Sequence, residues 1–288
     1  MNTTTQPQAS TSKNAYAIDP ELFKRIQPAD YLSRFLQEGY RPDGRRANEF
    51  RKPALNAGSI SSADGSALVR LGETTVLCGI RAEVAEPDLL APNSGFLVPN
   101  VDLPAMCSSE FRPGPPSDEA QVLSNRIRNI ALASRLLPLH TLCIKPGKAV
   151  WVLYADIVCI NYDGNITDAA LLALTAALKN TQIPVASWDE DTDSAVAASD
   201  ERIPLKLSST TLSASFGVTE EGALLCDPTS FEEPLCQTRV TIALDEKGTL
   251  RHVYQAGPGR RQPQNPAALL HECISLTRER YKQLAAVL

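Results

Sequence analysis

The chain has 288 residues, and 28 Lys and Arg against 33 Asp and Glu give it a formal net charge of −5. That length can bury a sizeable core in two packed subdomains, and the acidic balance excludes wholesale electrostatic coating of nucleic acid, though not a few arginines aimed at one strand. No apolar run approaches the ~18 residues that span a bilayer; the seven scattered cysteines lack a CxxC pair or a histidine at ligand spacing, so they read as reduced thiols, not disulfides or zinc ligands.

Residues 1–17 are rich in Thr, Gln and Ser and read as a disordered tail without the apolar centre of a secretory signal. From 18 to 46 the sequence predicts N-terminal helices and a turn: Asp19-Pro20 supplies an N-cap and first helical position, and Tyr31, Phe35 and Leu36 form an apolar stripe. Arg41-Pro42-Asp43-Gly44-Arg45 is turn chemistry. A first domain over 47–186 opens with strands at Ala54–Ile60, Ala67–Leu71 and Thr75–Val84, joined by tight turns into a meander. The segment Glu86–Pro116, with seven prolines, reads as one long loop. Ser117-Asp118-Glu119 caps a helix running to about Leu137, and Ala149–Ile160 is a buried strand. A turn at Tyr162–Asn165 leads to an Ala/Leu-rich helix over Thr167–Leu178. The acidic stretch 187–201 reads as a solvated connector. A second domain over 202–288 repeats the order, with strands at Leu212–Val218, Ala223–Cys226, Gln237–Leu244 and Thr249–Tyr254 before a helix from Pro266 to about Val287. Strands and helices in this alternation make an α/β (α+β) protein.

The chemistry is sparse. Three scattered histidines form no triad with Ser, Cys or Asp, and Gly257-Pro258-Gly259 is too short to cradle phosphate. The helix after Asp163 offers a dipole end, but Asn165 or Thr167 is placed to cap it and Asp168 puts a carboxylate in its first turn. Glu232 and Glu233 diverge if extended, so no catalytic metal centre is expected with Asp227, and no cofactor.

Taken in order, Arg41-Pro-Asp-Gly-Arg45, Gly58–Ala67, Val98–Pro104, Cys107-Ser-Ser109, Phe111–Pro116 and Asp163-Gly-Asn165 resemble the ribonuclease PH-like ring subunits of the eukaryotic RNA exosome, from about residue 28 onward. The resemblance implies the ribonuclease PH fold, ribosomal protein S5 domain 2-like, with mixed sheets packed on helices in two similar halves. It also implies a hetero-hexameric ring with RNA-binding cap subunits, single-stranded RNA in its channel, no membrane, and residence in nucleus, nucleolus and cytoplasm. Active members hold phosphate with a Thr-Arg pair, where this chain has Ile166 and Thr167. They carry an arginine ahead of the long helix, where Ser117 and Asp118 stand here, and two aspartates for metal and acid–base work, where Glu233 and Arg239 stand. A guanidinium is a donor only and cannot ligate a metal.

These departures predict a non-catalytic subunit that supports ring assembly and guides RNA, with Arg112, Arg126, Arg128, Arg260 and Arg261 as phosphate-facing candidates. The alternatives are a phosphorolytic exoribonuclease with a shifted site and a free-standing RNA-binding scaffold.

Overall fold

A computed structural model describes residues 19–190, 192–257 and 266–288. The disordered-tail reading of residues 1–17 and the arginines at 260 and 261 therefore lie outside the described residues.

Two short helices, α1 (Pro20–Ile26) and α2 (Pro28–Gln37), begin the fold, and the Asp19 carboxylate accepts the Glu21 N–H as the N-cap. The meander follows as β1 (Pro53–Ala57), β2 (Gly65–Leu71) and β3 (Thr74–Ala85). Next come β4 (Phe96–Asp102), α3 (Asp118–Ala133), β5 (Cys143–Lys145), β6 (Ala149–Asn161) and α4 (Ile166–Asn180). The hairpin β7 (Gln182–Asp189) and β8 (Ser194–Pro204) leads to β9 (Leu212–Thr219), β10 (Leu224–Cys226), β11 (Cys236–Leu244), β12 (Leu250–Ala256) and α5 (Pro266–Ala285).

The larger sheet runs β1-β2-β3-β6-β4, with β5 also on β6; its pairs are antiparallel except β4 with β6, which are parallel. The smaller sheet runs β10-β9-β11-β12, all antiparallel. Helix α4 lies between the two sheets, and every residue from Ile166 to Leu178 is buried. A helix with apolar residues on every face belongs there, and its buried Asp168 and Thr175 are hydrogen-bonded. Alternation assigns the two faces of the smaller sheet. Ala214, Phe216, Val240 and Ile242 pack with Leu269 and Cys273 of α5, while Ser213, Ser215 and Ala243 face α4. The expected mixed sheets on helices are present.

Three sequence expectations are corrected. The supposed loop 86–116 contains β4: Pro99 obscured it, yet proline is tolerated on an outer strand, which needs no N–H on its open side. Residues 187–201 are solvated as read where their side chains are described, but they are not an irregular connector: they make up most of the β7–β8 hairpin. Glu190 and Asp193 are exposed, and pair with Lys145 at 2.8 Å and Lys148 at 2.5 Å. Helix α3 stops at Ala133, not Leu137, because Arg135 turns left-handed (φ 50°) and the Leu136 N–H bonds back to the Ala131 carbonyl.

Candidate functional site

A cavity of about 300 Å³ opens where α3, α4, β11, β12 and the turn before β11 converge. Asp118, Ile166, Thr167, Glu233 and Arg239 all line it, so five of the six positions singled out in the sequence come together. Ser117 stands apart: its hydroxyl accepts the Ala120 N–H at 3.2 Å and caps α3. Arg126 also lines the cavity. Its guanidinium carbon lies 3.7 Å from the Tyr254 ring centroid, a cation–π contact, and its Nη1 reaches the Thr167 hydroxyl at 3.5 Å. Burial, and with it the charge of Arg239, pulls this guanidinium below its ordinary pKa.

The start of α4 is not capped as expected. Asn165, in the N-cap position, is left-handed (φ 52°) and makes no side-chain cap bond. Its side-chain amide donates instead to Asp168 Oδ2 at 2.8 Å and Asp227 Oδ1 at 2.5 Å. Asp168 turns away from the helix end to accept both serine hydroxyls of β9, Ser213 at 2.6 Å and Ser215 at 3.0 Å. The partner for the helix end comes from the other half of the chain. Glu233 Oε1 accepts the Asn165 N–H at 2.8 Å, and Glu233 Oε2 accepts the Tyr162 hydroxyl at 2.8 Å. Burial pushes the Glu233 carboxyl up from its ordinary pKa against these bonds, and pushes the Tyr162 hydroxyl up as well.

Glu232 and Glu233 do diverge, but in a 3₁₀ turn (Glu233–Leu235) that Pro234 favours, not on an extended strand. Glu232 points inward to Arg41. The Arg41 side chain is fully buried: Nε donates to Glu232 Oε1 at 2.9 Å, Nη2 to Glu232 Oε2, and Nη1 to the Cys226 carbonyl at 2.7 Å. Nη2 also reaches the Asp227 carbonyl at 3.1 Å. Beside it the Arg51 guanidinium grips Asp227 through Nε at 2.9 Å and Nη2 at 2.8 Å, and the Arg51 backbone N–H adds a third bond. Burial alone would raise the Asp227 carboxyl, but Arg51 outweighs it and holds the group well below the usual carboxylate range. Arg45 joins at 3.4 Å. So the Arg41–Arg45 stretch is the turn read in sequence, with Asp43 and Gly44 exposed, and its buried Arg41 and half-buried Arg45 also clamp the 226–232 turn that carries Glu233.

The arginine candidates separate. Arg112 is exposed, next to Phe111, whose ring stacks edge-on against Tyr162 at 5.4 Å. Arg126 and Arg128 are two residues apart on α3, a spacing that puts them on different faces; Arg128 lines another cavity altogether. Tyr162, Tyr254, Ser215 and Thr241 line the site without having been anticipated. Tyr162 had a signal, its place directly before the Asp163-Gly-Asn165 turn; the others had none. Among the described residues, no three His, Cys, Asp or Glu side chains form a group that could hold a metal ion.

Comparison with known proteins places this geometry. The 3′ exoribonuclease family, domain 1 (RNase PH), matches residues 49–184. The exosome complex component rrp43 of Schizosaccharomyces pombe is 44% identical over 92% of this chain and 96% of its own length. The exosome complex component Rrp42 of Methanothermobacter thermautotrophicus is 36% identical over 85% of this chain and 88% of its own. Among solved structures, a chain of the Archaeoglobus fulgidus exosome with RNA bound to the active site superposes with a TM-score of 0.78 at 29% identity, covering 90% of this chain and 96% of that one. An archaeal exosome core chain gives 0.73 at 28% identity, over 89% and 96%. The chain belongs to the ribonuclease PH-like family of exosome complex components.

Proposed function

We propose that this chain is a non-catalytic ring subunit of an RNA exosome. It stands among other ribonuclease PH-like subunits beneath RNA-binding cap proteins, supports the ring, and guides single-stranded RNA to 3′–5′ degradation and rRNA processing performed elsewhere in the assembly. The observation that carries the reading is the cavity's own occupant. The Glu233 carboxylate sits on the Asn165 N–H at the head of α4, where an anionic substrate group would have to dock. Ile166 and Thr167 bring no guanidinium to that end, and Arg239 puts a cation where a metal needs carboxylates. Losing one positioned electrostatic group commonly costs about 10²–10³ in rate, so losing several leaves no measurable turnover. The exosome relatives support the assembly role. The exposed position of Arg112 and the cavity position of Arg126 support a few contacts to RNA phosphates.

The test is incubation of the full chain with 3′-labelled RNA, inorganic phosphate and Mg²⁺. The expected result is no nucleoside-diphosphate release, with activity appearing only when ring partners are added; phosphate-dependent release by the chain alone overturns the reading. The same role puts the chain in nucleus, nucleolus and cytoplasm, which imaging of a tagged full chain checks.

A further inference from the structure

A second cavity, of about 420 Å³, lies on the opposite face of α3, between the end of that helix, the outer strand β4 and the 3₁₀ turn Leu139–Leu142. Its floor is aliphatic, made by Leu97, Leu132, Leu137, Leu139 and Pro99. Leu132 is 47% exposed, an apolar side chain left facing solvent. Arg128, Arg135 and His140 stand around this floor, all exposed, and none has an ion-pair or hydrogen-bond partner for its side chain among the described residues. Among the described residues no Asp or Glu lines the cavity, although the chain carries 33 of them and is acidic overall. Arg135 is held there at φ 50°, a left-handed conformation that is unfavourable for a non-glycine residue. At the position after a helix end, glycine is the ordinary choice.

We propose that this cavity docks an acidic peptide segment of a partner chain, with an apolar side chain as its anchor on the leucine floor and carboxylates on Arg128 and Arg135. Charge complementarity selects the partner: an aliphatic hollow with cations at its rim matches an apolar residue flanked by Asp or Glu. The size falls within the ~300–1,000 Å³ range of pockets that enclose a ligand group. RNA fits less well: among the described residues no Phe, Tyr or Trp lines the aliphatic floor, and the planar groups, His140 and the two guanidinium groups, stand only at the rim. The chain's own longer undescribed stretches, 1–18 and 258–265, contain no Asp or Glu and cannot supply the anion. Strand addition along β4 is hindered as well. Pro99 has no N–H to offer, and the Ser124 hydroxyl accepts the Val101 N–H at 2.8 Å. The segment therefore binds through side chains. The inference rests on this cavity alone and survives or fails independently of the catalytic reading.

Fluorescence anisotropy with the full chain tests it. The probe is a short labelled peptide of Asp and Glu around a central Phe-Leu pair. Controls are the same peptide with Ser-Ser at the centre and a labelled oligouridylate. The expected result is saturable binding of the Phe-Leu peptide, weakened about tenfold or more by joint Arg128→Glu and Arg135→Glu. Leu132→Ser weakens it separately, and the Ser-Ser peptide binds more weakly than the Phe-Leu one. All three substituted residues are exposed, and an unchanged thermal midpoint certifies the fold. Failure of the Phe-Leu peptide to saturate the wild-type chain overturns the proposal. So does binding that ignores both the charge reversals and Leu132→Ser. Oligouridylate binding that the reversals abolish, with the peptide inert, assigns the face to RNA and overturns it equally.

Discussion

Replacing Arg41 with Met removes the cation of a pair whose side chains are 0% and 1% exposed. Glu232 is then a buried carboxylate whose remaining local partner is the Thr229 N–H at 2.9 Å. Breaking a buried pair from one side costs about 3–5 kcal/mol. The Cys226 carbonyl loses its guanidinium donor too, which costs about 1–3 kcal/mol where water cannot reach it, whereas the Asp227 carbonyl keeps the Arg45 guanidinium at 3.2 Å. Set against a total stability of about 5–15 kcal/mol for a folded domain, this is a large fraction. Urea unfolding of the full chain, followed by tryptophan fluorescence, should show the midpoint falling by about 1–3 M for a urea slope of about 3 kcal/mol/M. The double substitution Arg41→Met with Glu232→Leu should recover part of the loss, because a buried pair replaced by apolar groups is often near neutral. A single variant within about 1 kcal/mol of wild type, or a double variant no better than the single one, refutes the clamp as a stabilising element.

Two further outcomes follow from the site. Gly164 has φ 74°, and a Cβ there would meet the Thr229 and Ser230 backbone at 2.5 and 2.6 Å; Gly164→Ala should abolish folding or cost several kcal/mol, roughly the scale of severe core strain. Gly79→Ala, whose Cβ would only touch Ile60 at 3.6 Å, should be nearly silent in the same thermal melts. The pH response separates two carboxylates. Asp227, lowered when folded, supplies stability that is complete above the ordinary carboxylate value of about 3.9 and is lost as pH falls through its folded value. Glu233, raised when folded, does the reverse: its contribution is complete below about 4.3 and is lost as pH rises through its raised value. Glu233→Gln should therefore gain thermal midpoint relative to wild type between about pH 4 and pH 8. A variant that loses ground over that interval contradicts the assignment.

The sequence made the local elements legible because each carries its own periodicity and caps. Ser117 does cap α3, and the apolar run over 149–160 is β6. It failed where tertiary context overrides local chemistry. Pro99 hid a strand that only an outer position tolerates, and the acids around 190 are solvated as read but lie on a hairpin, their paired lysines 45 residues earlier in the chain. The degenerate site was legible as a set of positions, five of which share one cavity. Its occupant was not, since nothing in the order of residues says that Glu233 reaches the head of α4, 68 residues upstream. Arg41-Pro-Asp-Gly-Arg45 is the turn it reads as, but nothing in it reveals that the Arg41 side chain is buried; that waits until the 226–232 segment is folded over it.

That clamp also fixes an order of events during synthesis. Arg41 and Glu232 are 191 positions apart, and the Arg51 carbonyl waits for Arg280, 229 positions later. At about 5–20 residues per second, roughly 10–40 s separate the emergence of Arg41 from that of its counterion. Throughout that interval a guanidinium destined for the interior remains in water, and the 41–45 turn has nothing to clamp. The amino-terminal segment is thus a latch that closes last, although it is made first.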